Sequence, residues 1–319
     1  EWLEYETNEV PLLSNKLMKK KVFPLVKNKP VFFVLIDNFR MDQWTLIKPF
    51  LEQFFNVSED STYCSILPTS TQYARNSIFS GLFPSQIKKQ FPNYWVEDFE
   101  EGGKNLYEKE LFEELLKREN KTYKFTYNKI LNLEAGKKIV EKVNDLLNND
   151  LNIIIYNFVD YLSHAKTDLK MIKELVGNEK SYRDLTLTWF KNSPLFDLFK
   201  VLSVKNIDLI ITTDHGTINV ETPSKIIGER DISNNLRYKT GRRMSFESKN
   251  VFHVDNPHSV FLPSTNVSSS FVFAGTDHFF AYPNNFNHYV KYYKNTYQHG
   301  GISLEEMIIP FVHLNNKNE

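Results

Sequence analysis

Three nearly continuous apolar runs constrain the fold of this chain more than any other feature. They are PVFFVLID, LNIIIYNFVD and IDLIITTDHG, at residues 30–37, 151–160 and 207–216. Such runs are typical of strands buried on both faces of a parallel sheet, since half-exposed strands alternate polar and apolar residues. Segments with helical spacing lie between them, at residues 41–55, 105–119 and 134–149. The sequence therefore predicts an α/β fold with a mostly parallel sheet flanked by helices.

Other segments complete this picture. Polar, Lys-rich residues 1–29 are predicted to be a linker or helical extension from a missing upstream domain, with one domain from residue 30 to residue 319. A further strand, TYCSILP at residues 62–68, leads into a helix that Gly81 ends. Short alternating runs at residues 251–293 predict a smaller antiparallel edge or cap. The closing HGGISLEEMIIPFVHL predicts a short helix and a last strand.

Composition excludes several classes of protein. Lys and Arg total 39, as do Asp and Glu, so the formal net charge is zero and anion binding must come from local basic clusters. The single cysteine, Cys64, excludes an internal disulfide and a thiolate zinc site, and its apolar surroundings predict an inert, buried thiol. The sequence shows no membrane-spanning run and no signal peptide, so we predict no membrane partner and a cytoplasmic location.

Acidic, hydroxyl and histidine residues recur where predicted strands meet loops or helices. Ligands of open α/β sheets bind outside the carboxyl ends of the strands. A lone aspartate there is usually a helix cap, but caps do not require neighbouring imidazoles. Three carboxylates, three imidazoles and one hydroxyl can hold two zinc-like ions around an activated alkoxide, which predicts a two-metal phosphoryl-transfer enzyme. In chain order the residues are Asp37, Thr71, Asp160 with His164, Asp214 with His215, and His299.

The spacing of these residues suits metal binding. Asp160 and His164 are four residues apart, so one helical turn directs both at one ion, although a surface ion pair explains that pair equally well. Asp214 and His215 are consecutive and point in different directions. His299 precedes two glycines, a flexible elbow suited to a ligand that reaches an ion from across a site.

Thr71 is predicted to lie at a helix start, where free N–H groups and the positive end of the helix dipole stabilise an alkoxide and a phosphate. Thr69 and Ser70 are rival hydroxyls, one of them a cap. Arg75 is placed to clamp a phosphoryl oxygen and Asn76 to donate to another. Either of these two also fits a surface position on the helix.

Taken together, these motifs resemble the alkaline phosphatase superfamily. The sequence is similar to the PglZ domain and to the C-terminal effector domain of PorX-type response regulators, which are associated with type IX secretion. The resemblance covers roughly residues 30–314, and its motifs are specific jointly rather than singly. It rests on the runs VLIDNFRMDQW, LPTSTQYARNSIFSGLFPSQI, NFVDYLSHAKTD, TTDHGT and QHGGISLEEMIIPF.

The resemblance implies two zinc ions per chain. It assigns Thr71 as the nucleophile, which matches the P-T-x-T pattern of the family, and assigns the second ion to activating the water that breaks the phosphoryl-threonine intermediate. Manganese is compatible with the same ligand types. The implied ligands are Asp37, Thr71 Oγ1, Asp214 and His215 for one ion, and Asp160, His164 and His299 for the other.

Two departures narrow the expected substrate. The Thr71-to-Arg75 spacing matches sulfatases of this superfamily, but threonine cannot become formylglycine, so sulfatase activity is not expected. We identify no third metal site of the kind that phosphomonoesterases often carry, which favours diesters. The basic cluster RYKTGRR is predicted either to contact the second ester arm or to be a solvated loop. The predicted substrate-binding residues are Lys239, Arg242, Arg243 and His258.

We therefore expect a zinc-dependent phosphodiesterase acting on nucleotide or oligonucleotide diesters. If the regulator resemblance holds, this is the output domain of a two-component protein whose upstream receiver domain governs dimer formation. One alternative is a phosphomonoesterase of the same superfamily. Another is a non-catalytic, metal-stabilised signalling module. The presence of Thr71 disfavours this alternative, because a structural metal site needs no activated hydroxyl.

Overall fold

The computed structural model describes residues 3, 10–100, 102–228, 233–264, 266 and 268–317, and only the backbone of residues 168 and 170. The helices are α1 Met41–Leu51, α2 Thr71–Ser80, α3 Pro84–Gln90, α4 Glu108–Arg118, α5 Leu133–Glu141, α6 Val143–Leu146, α7 Phe158–Asp168, α8 Lys170–Leu175, α9 Glu179–Lys191, α10 Pro194–Leu202, α11 Phe286–Tyr293 and α12 Leu304–Met307. The strands are β1 Val31–Ile36, β2 Phe55–Cys64, β3 Phe125–Ile130, β4 Leu151–Tyr156, β5 Asp208–Thr212, β6 Ile218–Val220, β7 Thr222–Ile227, β8 Tyr238–Arg242, β9 Ser245–Phe246, β10 Val251–Val254, β11 Ser269–Ala274, β12 His278–Ala281, β13 Thr296–Gln298 and β14 Ile308–Asn316.

The chain divides into two compact units, each assembled from three separate segments. The domain boundary that we predict at residue 30 stays a prediction. Unit 1 comprises Glu1–Leu17, Cys64–Leu115 and Thr217–Met307, and unit 2 comprises Met18–Tyr63, Leu116–Gly216 and Ile308–Glu319.

Unit 2 contains a six-stranded sheet in the order β2-β14-β5-β1-β4-β3. The β3–β4, β4–β1 and β1–β5 pairs are parallel, whereas β14 runs antiparallel to β5. Every residue of β1, β4 and β5 is buried, as expected from their apolar sequences and from helices such as α1, α5, α9 and α10 packing around the sheet. The predicted α/β fold with a mostly parallel sheet is confirmed.

The register of the parallel strands aligns their carboxyl ends. Ile36, the last residue of β1, lies beside Tyr156, the last residue of β4. One residue earlier on β1, Leu35 lies beside Thr212 at the end of β5. The segments that follow β1, β4 and β5 therefore leave the sheet along the same edge, which is where we expect ligands to bind.

The predicted strand at residues 62–68 is wrong in its position. Helix α1 ends at Leu51, and β2 already begins at Phe55 and ends at Cys64. Exposed residues alternate with more buried ones along β2 because it is an edge strand, so its polar sequence FNVSEDSTYC lacks the apolar run of a central strand. Seven positions separate Cys64 from Thr71, so Thr71 does not directly follow a strand.

Unit 1 contains smaller sheets. Strands β10, β11 and β8 form an antiparallel ladder, as predicted for this part of the chain. By contrast, β12 pairs parallel with β7, and α11 lies in a segment for which only an edge or cap was expected. Cys64 is half-buried, and burial raises the pKa of its thiol, in line with the inert cysteine predicted.

Of the predicted N-terminal extension, residues 1–2 and 4–9 lie outside the described residues. Three short helical turns follow, at Ser14–Lys16, Met18–Val22 and Phe23–Leu25. Leu17 and Val22 are fully buried, so this segment contributes to the core rather than running free. Among the described residues, no helix is both long enough and apolar enough to cross a membrane.

Candidate functional site

Asp37, Asp214 and His215 form a buried cluster at the carboxyl edge of the unit 2 sheet. Their side chains are at most 2% exposed. Nε2 of His215 lies 3.8 Å from Oδ1 of Asp37 and 3.7 Å from Oδ2 of Asp214. Each side chain offers one ligand atom, and these atoms lie within 4.8 Å of one another. The 3.7 and 3.8 Å separations exceed ordinary hydrogen-bond lengths, so Nε2 of His215 is close to both carboxylates without a hydrogen bond to either.

The ends of β1 and β5 hold this cluster in place. Asp37 directly follows β1, and the hydroxyl of Thr213, directly after β5, accepts the N–H of Phe39 at 3.0 Å. The same hydroxyl donates to the carbonyl of His215 at 2.8 Å. Tyr63 donates from its own hydroxyl to the carbonyl of Thr213. The loops that carry the two aspartates are thus joined by buried hydrogen bonds.

The ring of His215 is oriented for binding a metal through Nε2. Its Nδ1 lies 3.1 Å from the carbonyl oxygen of Gly216, and a carbonyl can only accept. Nδ1 therefore carries the proton, which places the lone pair on Nε2, the atom that faces Asp37 and Asp214. Histidines that bind metals commonly donate their other N–H to a carbonyl in this way.

The chemistry of this cluster fits a divalent metal. Zinc binds imidazole nitrogen and carboxylate oxygen at about 2.0–2.2 Å, so neighbouring ligand atoms of a tetrahedral ion lie about 3.4 Å apart. The observed 3.7 and 3.8 Å are close to that spacing. Two neighbouring carboxylates removed from water require a compensating cation or hydrogen bonds. Asp37, Asp214 and His215 are therefore a candidate metal site.

Asp160 and His164 lie one turn apart on α7, as their spacing predicts. Oδ1 of Asp160 is 3.5 Å from Nε2 of His164, and His164 is the more exposed, at 63% against 16%. Asn38 links this helix to the end of β1, because its amide donates to Ser163 Oγ at 3.1 Å. Asn38 has a φ of 64°, a left-handed conformation that asparagine tolerates.

In unit 1, Thr71 is the first residue of α2, as predicted. Ser70 occupies the N-cap position, and its side chain makes no capping hydrogen bond. Thr69 is already bonded on both sides: its hydroxyl donates to the carbonyl of Gly301 at 2.8 Å and accepts the N–H of Gly300 at 3.0 Å. Thr69 therefore has a structural role, and the choice of Thr71 over Ser70 as nucleophile stays a prediction.

His299 is attached to the same segment. Its Nδ1 lies 3.2 Å from the carbonyl oxygen of Thr69, so Nδ1 donates and Nε2 carries the lone pair, as in His215. The turn after His299 has no room for side chains. A Cβ on Gly300 would lie 2.6 Å from Cδ1 of Tyr238, and one on Gly301 would lie 2.5 Å from the carbonyl oxygen of Ala274. Unit 1 thus holds Thr71 and His299 through one hydrogen-bonded turn.

The buried pair of Glu306 and Arg237 supports this turn and was missed in the sequence. Glu306 accepts the N–H of Gly301 at 2.8 Å, and its two oxygens accept from Arg237 at 3.1 and 2.7 Å. Ser303 N–H donates to Glu306 Oε2 at 3.0 Å, while Glu306 N–H donates to Ser303 Oγ at 3.3 Å, which makes a capping box. The S-x-x-E spacing before an apolar run was the available signal.

Arg75 and Asn76 are buried, so the surface-helix interpretation of both residues is wrong. Nη1 of Arg75 lies 3.6 Å from Oε1 of Glu108, and both side chains are fully buried. The negative charge of Glu108 therefore balances the positive charge with which Arg75 would bind a phosphate. Asn76 donates from its amide to the carbonyl of Lys104 at 3.3 Å.

The basic cluster RYKTGRR is not a loop, because residues 238–242 form β8. Lys239 is buried and donates from Nζ to the carbonyl of Ser233 at 2.8 Å and to the hydroxyl of Tyr282 at 3.3 Å. Burial lowers the pKa of Lys239 to about 7. Lys239 is therefore not a solvated cation. Arg242, Arg243 and His258 are exposed, and their contacts with substrate stay predictions.

Substituting Gly300 by alanine should lower the free energy of unfolding by about 1–3 kcal/mol and displace His299. Its φ of 118° strains any other residue, and the added methyl group meets Tyr238. Gly102 is a matched control, because its φ is 101° and a Cβ added there would have no atom within 4 Å. Urea unfolding of both variants measures the difference. An equal loss in G102A would attribute the effect to backbone strain alone.

Two comparisons concern the sequence as a whole. A family model described as the BREX system PglZ alkaline phosphatase-like domain matches residues 17–314. A search of the curated proteins found no match.

Solved structures share the fold at low sequence identity. Mouse ectonucleotide pyrophosphatase / phosphodiesterase 5 is 14% identical with a TM-score of 0.60, covering 89% of this chain and 88% of its own. The human protein of the same name is 12% identical with a TM-score of 0.56, covering 89% and 87%. An inactive threonine-to-alanine variant of the mouse protein in complex with AMP is 12% identical with a TM-score of 0.53, covering 89% and 88%.

Proposed function

The chain belongs to the PglZ alkaline phosphatase-like family, and from that premise we propose that it is a zinc-dependent phosphodiesterase with Thr71 as its nucleophile. The family and the fold together support a phosphoesterase of the alkaline phosphatase superfamily. The observation that carries the proposal further is the buried cluster of Asp37, Asp214 and His215, which offers three metal ligands at the carboxyl edge of the sheet.

In this proposal two zinc ions serve the reaction. Zinc would stabilise the attacking and leaving oxygens and favour the alkoxide form of the Thr71 hydroxyl. Carboxylate and imidazole ligands suit zinc. Both His215 and His299 have Nδ1 directed at a carbonyl oxygen, which supports binding through Nε2. The proposed ligands are Asp37, Asp214, His215 and Thr71 Oγ1 for one ion, and Asp160, His164 and His299 for the other.

The residues of α2 would perform the first step. Thr71 Oγ1, after its hydroxyl proton passes to water, attacks phosphorus. A phosphoryl-threonine forms as the bond to the leaving oxygen breaks, and that oxygen takes a proton from water to leave as the alcohol. The positive end of the α2 dipole, at Thr71, would stabilise the phosphoryl oxygens. Asn76 is proposed to donate from its remaining amide hydrogen. Water then cleaves the phosphorus–oxygen bond to Thr71, which regenerates the hydroxyl.

We propose a nucleotide or oligonucleotide diester as the substrate. The name of the mouse neighbour includes both pyrophosphatase and phosphodiesterase, and an inactive variant of it that lacks a threonine binds AMP. These titles support a nucleotide substrate and a threonine nucleophile by analogy. A phosphomonoesterase with the same metal ligands is the second candidate, and a non-catalytic metal-stabilised module is the third.

Asp214→Asn should remove bound zinc and lower diester hydrolysis by at least about a hundredfold, because the amide is neutral and a poor metal ligand. Zinc per chain is measured by elemental mass spectrometry, and hydrolysis is measured with a chromogenic phosphodiester and its monoester. Asp208→Asn is a matched control, because Asp208 is a buried carboxylate at the other end of β5, 2.7 Å from Nε2 of His313.

The outcomes separate the three candidates. Faster hydrolysis of the diester, lost on chelation, supports the proposal, whereas faster hydrolysis of the monoester favours the second candidate. Zinc binding without hydrolysis of either ester would leave the signalling module. Equal loss of zinc in D208N and D214N would contradict the assignment of Asp214 as a ligand.

For the biological setting, we propose a cytoplasmic output domain of a PorX-type response regulator that controls type IX secretion, with an upstream receiver domain that sets its dimer state. The description of the matching family model names the BREX system instead. Beryllofluoride, which mimics receiver phosphorylation, should change the rate of diester hydrolysis by the full-length protein. No response, or no receiver domain in that protein, would exclude the regulator setting.

A further inference from the structure

A stretch rich in aromatic residues and free of acidic ones leads to His299. Between His278 and Leu304 the sequence has no Asp or Glu, although the whole chain has as many acidic as basic residues. The same stretch contains eight Phe and Tyr residues together with Lys291 and Lys294. Helix α11 lies in its centre. This combination of positive charge and aromatic rings is local, so it points to a specific anionic ligand rather than to bulk charge attraction.

Helix α11 has an anchoring face and an exposed face. Phe286, Val290 and Tyr293 pack against a buried cluster that includes residues of β6 and β12. On the exposed side, Tyr289 and Tyr292 are 38% and 40% exposed. These two residues are three apart, and residues at that spacing lie on the same side of a helix. The exposed helix therefore presents ring faces to solvent rather than an ordinary charged surface.

The ring pairs on α11 are nearly parallel. The rings of His288 and Tyr292 have centroids 6.4 Å apart and an interplanar angle of 13°. Tyr289 and Tyr293 have centroids 6.3 Å apart and an angle of 12°. Parallel ring faces of this kind are what nucleobases stack on in proteins that bind single strands.

A cavity of about 200 Å³ lies beside α11. Ligand sites for drug-sized molecules have volumes of roughly 300–1,000 Å³, so this smaller cavity suits one planar ring system. Aromatic rings and two polar side chains line it, which provides both stacking surfaces and hydrogen-bonding groups. These residues are Phe280, Tyr282, Tyr289, Tyr293, Asn234 and Lys239, and two aliphatic side chains complete the lining. We call this cavity the aromatic slot.

Lys239 gives the aromatic slot a polar group of unusual kind. Its Nζ donates to the carbonyl of Ser233 and the hydroxyl of Tyr282, which leaves one of the three ammonium hydrogens for a ligand. Nζ also lies 4.6 Å from the ring centroid of Tyr282. Burial lowers the pKa of Lys239 to about 7, so near neutral pH this side chain can either donate or accept a hydrogen bond. Nucleobase edges carry both kinds of group.

We propose that the aromatic slot binds a base of a single-stranded oligonucleotide, with Lys291 and Lys294 near its phosphates. Lys225, whose Nζ lies 5.1 Å from the ring centroid of Phe286, adds a third positive charge beside α11. A base in a duplex is stacked and paired and cannot enter such a slot, which selects single strands. The choice of a nucleic acid over other anionic aromatic ligands rests on the proposed function.

The slot is connected to the candidate site through a short piece of chain. Five residues lie between Tyr293, which lines the slot, and His299, so six Cα–Cα steps join the two. Their Cα atoms are therefore at most about 23 Å apart, since each residue spans no more than about 3.8 Å. An oligonucleotide held in the slot extends far enough, within a few nucleotides, to reach the turn that carries His299. The slot would thus select oligonucleotides over small diesters.

The test is equilibrium binding of fluorescein-labelled oligothymidylate, measured by fluorescence anisotropy in a Thr71→Ala background so that no turnover interferes. Tyr289→Ala and Lys239→Met should each weaken binding at least about fivefold, since stacking and buried hydrogen bonds are lost. Phe252→Ala and Lys109→Met are matched controls, with an exposed ring on β10 and an exposed ammonium on α4, and should leave the affinity unchanged. Annealing the probe to oligoadenylate should weaken its binding.

Tyr289→Ala keeps the test decisive if burial makes Lys239→Met unstable, because Tyr289 lines the slot and is exposed. No binding of oligothymidylate, or equal binding by Tyr289→Ala and the controls, would overturn the proposal. A chromogenic diester assay on the wild-type chain separates the two hypotheses. Hydrolysis without slot-dependent binding rejects the slot alone, whereas slot-dependent binding without hydrolysis supports the slot and rejects the proposed function.

Discussion

Replacing Thr71 by alanine should lower the rate of phosphodiester hydrolysis by about a thousandfold or more, the scale seen when a nucleophile is removed from other hydrolases. Thr71 is the first residue of α2, so the proposed nucleophile lies at the positive end of the helix dipole. Its neighbour Thr69 is committed to Gly300 and Gly301, so it cannot take over. The measurement is kcat for a chromogenic diester with saturating zinc.

Two controls make this result specific to Thr71. Ser70→Ala removes the adjacent hydroxyl from the N-cap position, where the side chain makes no capping bond, and should retain most of the activity. Thr71→Ser keeps a hydroxyl and should restore part of the rate. Activity within tenfold of wild type in Thr71→Ala, or loss of activity in Ser70→Ala alone, would assign the nucleophile to another residue.

Arg237→Met should lower the free energy of unfolding by about 3–5 kcal/mol, because Glu306 would then be a buried carboxylate without its cation. Both side chains are fully buried, and Nη2 of Arg237 lies 2.7 Å from Oε2 of Glu306. Glu306 also accepts the N–H of Gly301, so hydrolysis should fall together with stability as His299 loses its support. Urea unfolding and diester hydrolysis measure the two effects.

The double variant Arg237→Met with Glu306→Met separates charge burial from packing. It should be less destabilised than either single variant, since no unpaired charge remains. It should still lose activity, because nothing replaces the carboxylate that holds Gly301 and Ser303. If the stability lost in the double variant equals the sum of the losses in the two single variants, the pair does not act as a unit.

The central sheet was predictable because its strands are buried on both faces. The apolar runs that end near Ile36, Tyr156 and Thr212 are typical of strands covered by helices on both faces of a sheet. In the structure all three are adjacent parallel strands. Edge strand β2 was misplaced because only one of its faces is buried, so its sequence carries acidic and hydroxyl residues such as Asp60. That carboxylate accepts the indole N–H of Trp44 at 3.0 Å, a contact no local pattern reveals.

The candidate site was predictable to the extent that its residues follow strands or share a helical turn. The sequence predicts that Asp37, Asp214 and His215 lie at one edge of the sheet. The structure places their ligand atoms within 4.8 Å of one another. Asn38 and Thr213 were missed because they act through hydrogen bonds between segments distant along the chain. The burial of basic residues was also missed. A polar sequence around a basic residue does not indicate that its side chain lies in a core.

Strand β14 has a consequence for how this protein is made. It lies between β2 and β5, so β2 joins the six-stranded sheet only once residues 308–316 are in place. During synthesis, residues 55–64 emerge from the ribosome long before residues 308–316, and they must wait as an unpaired, polar segment. Contacts between such distant parts of the sequence form slowly. Because exposed apolar strand edges favour aggregation, the hydroxyl and acidic residues of β2 make this segment less prone to it than an apolar strand.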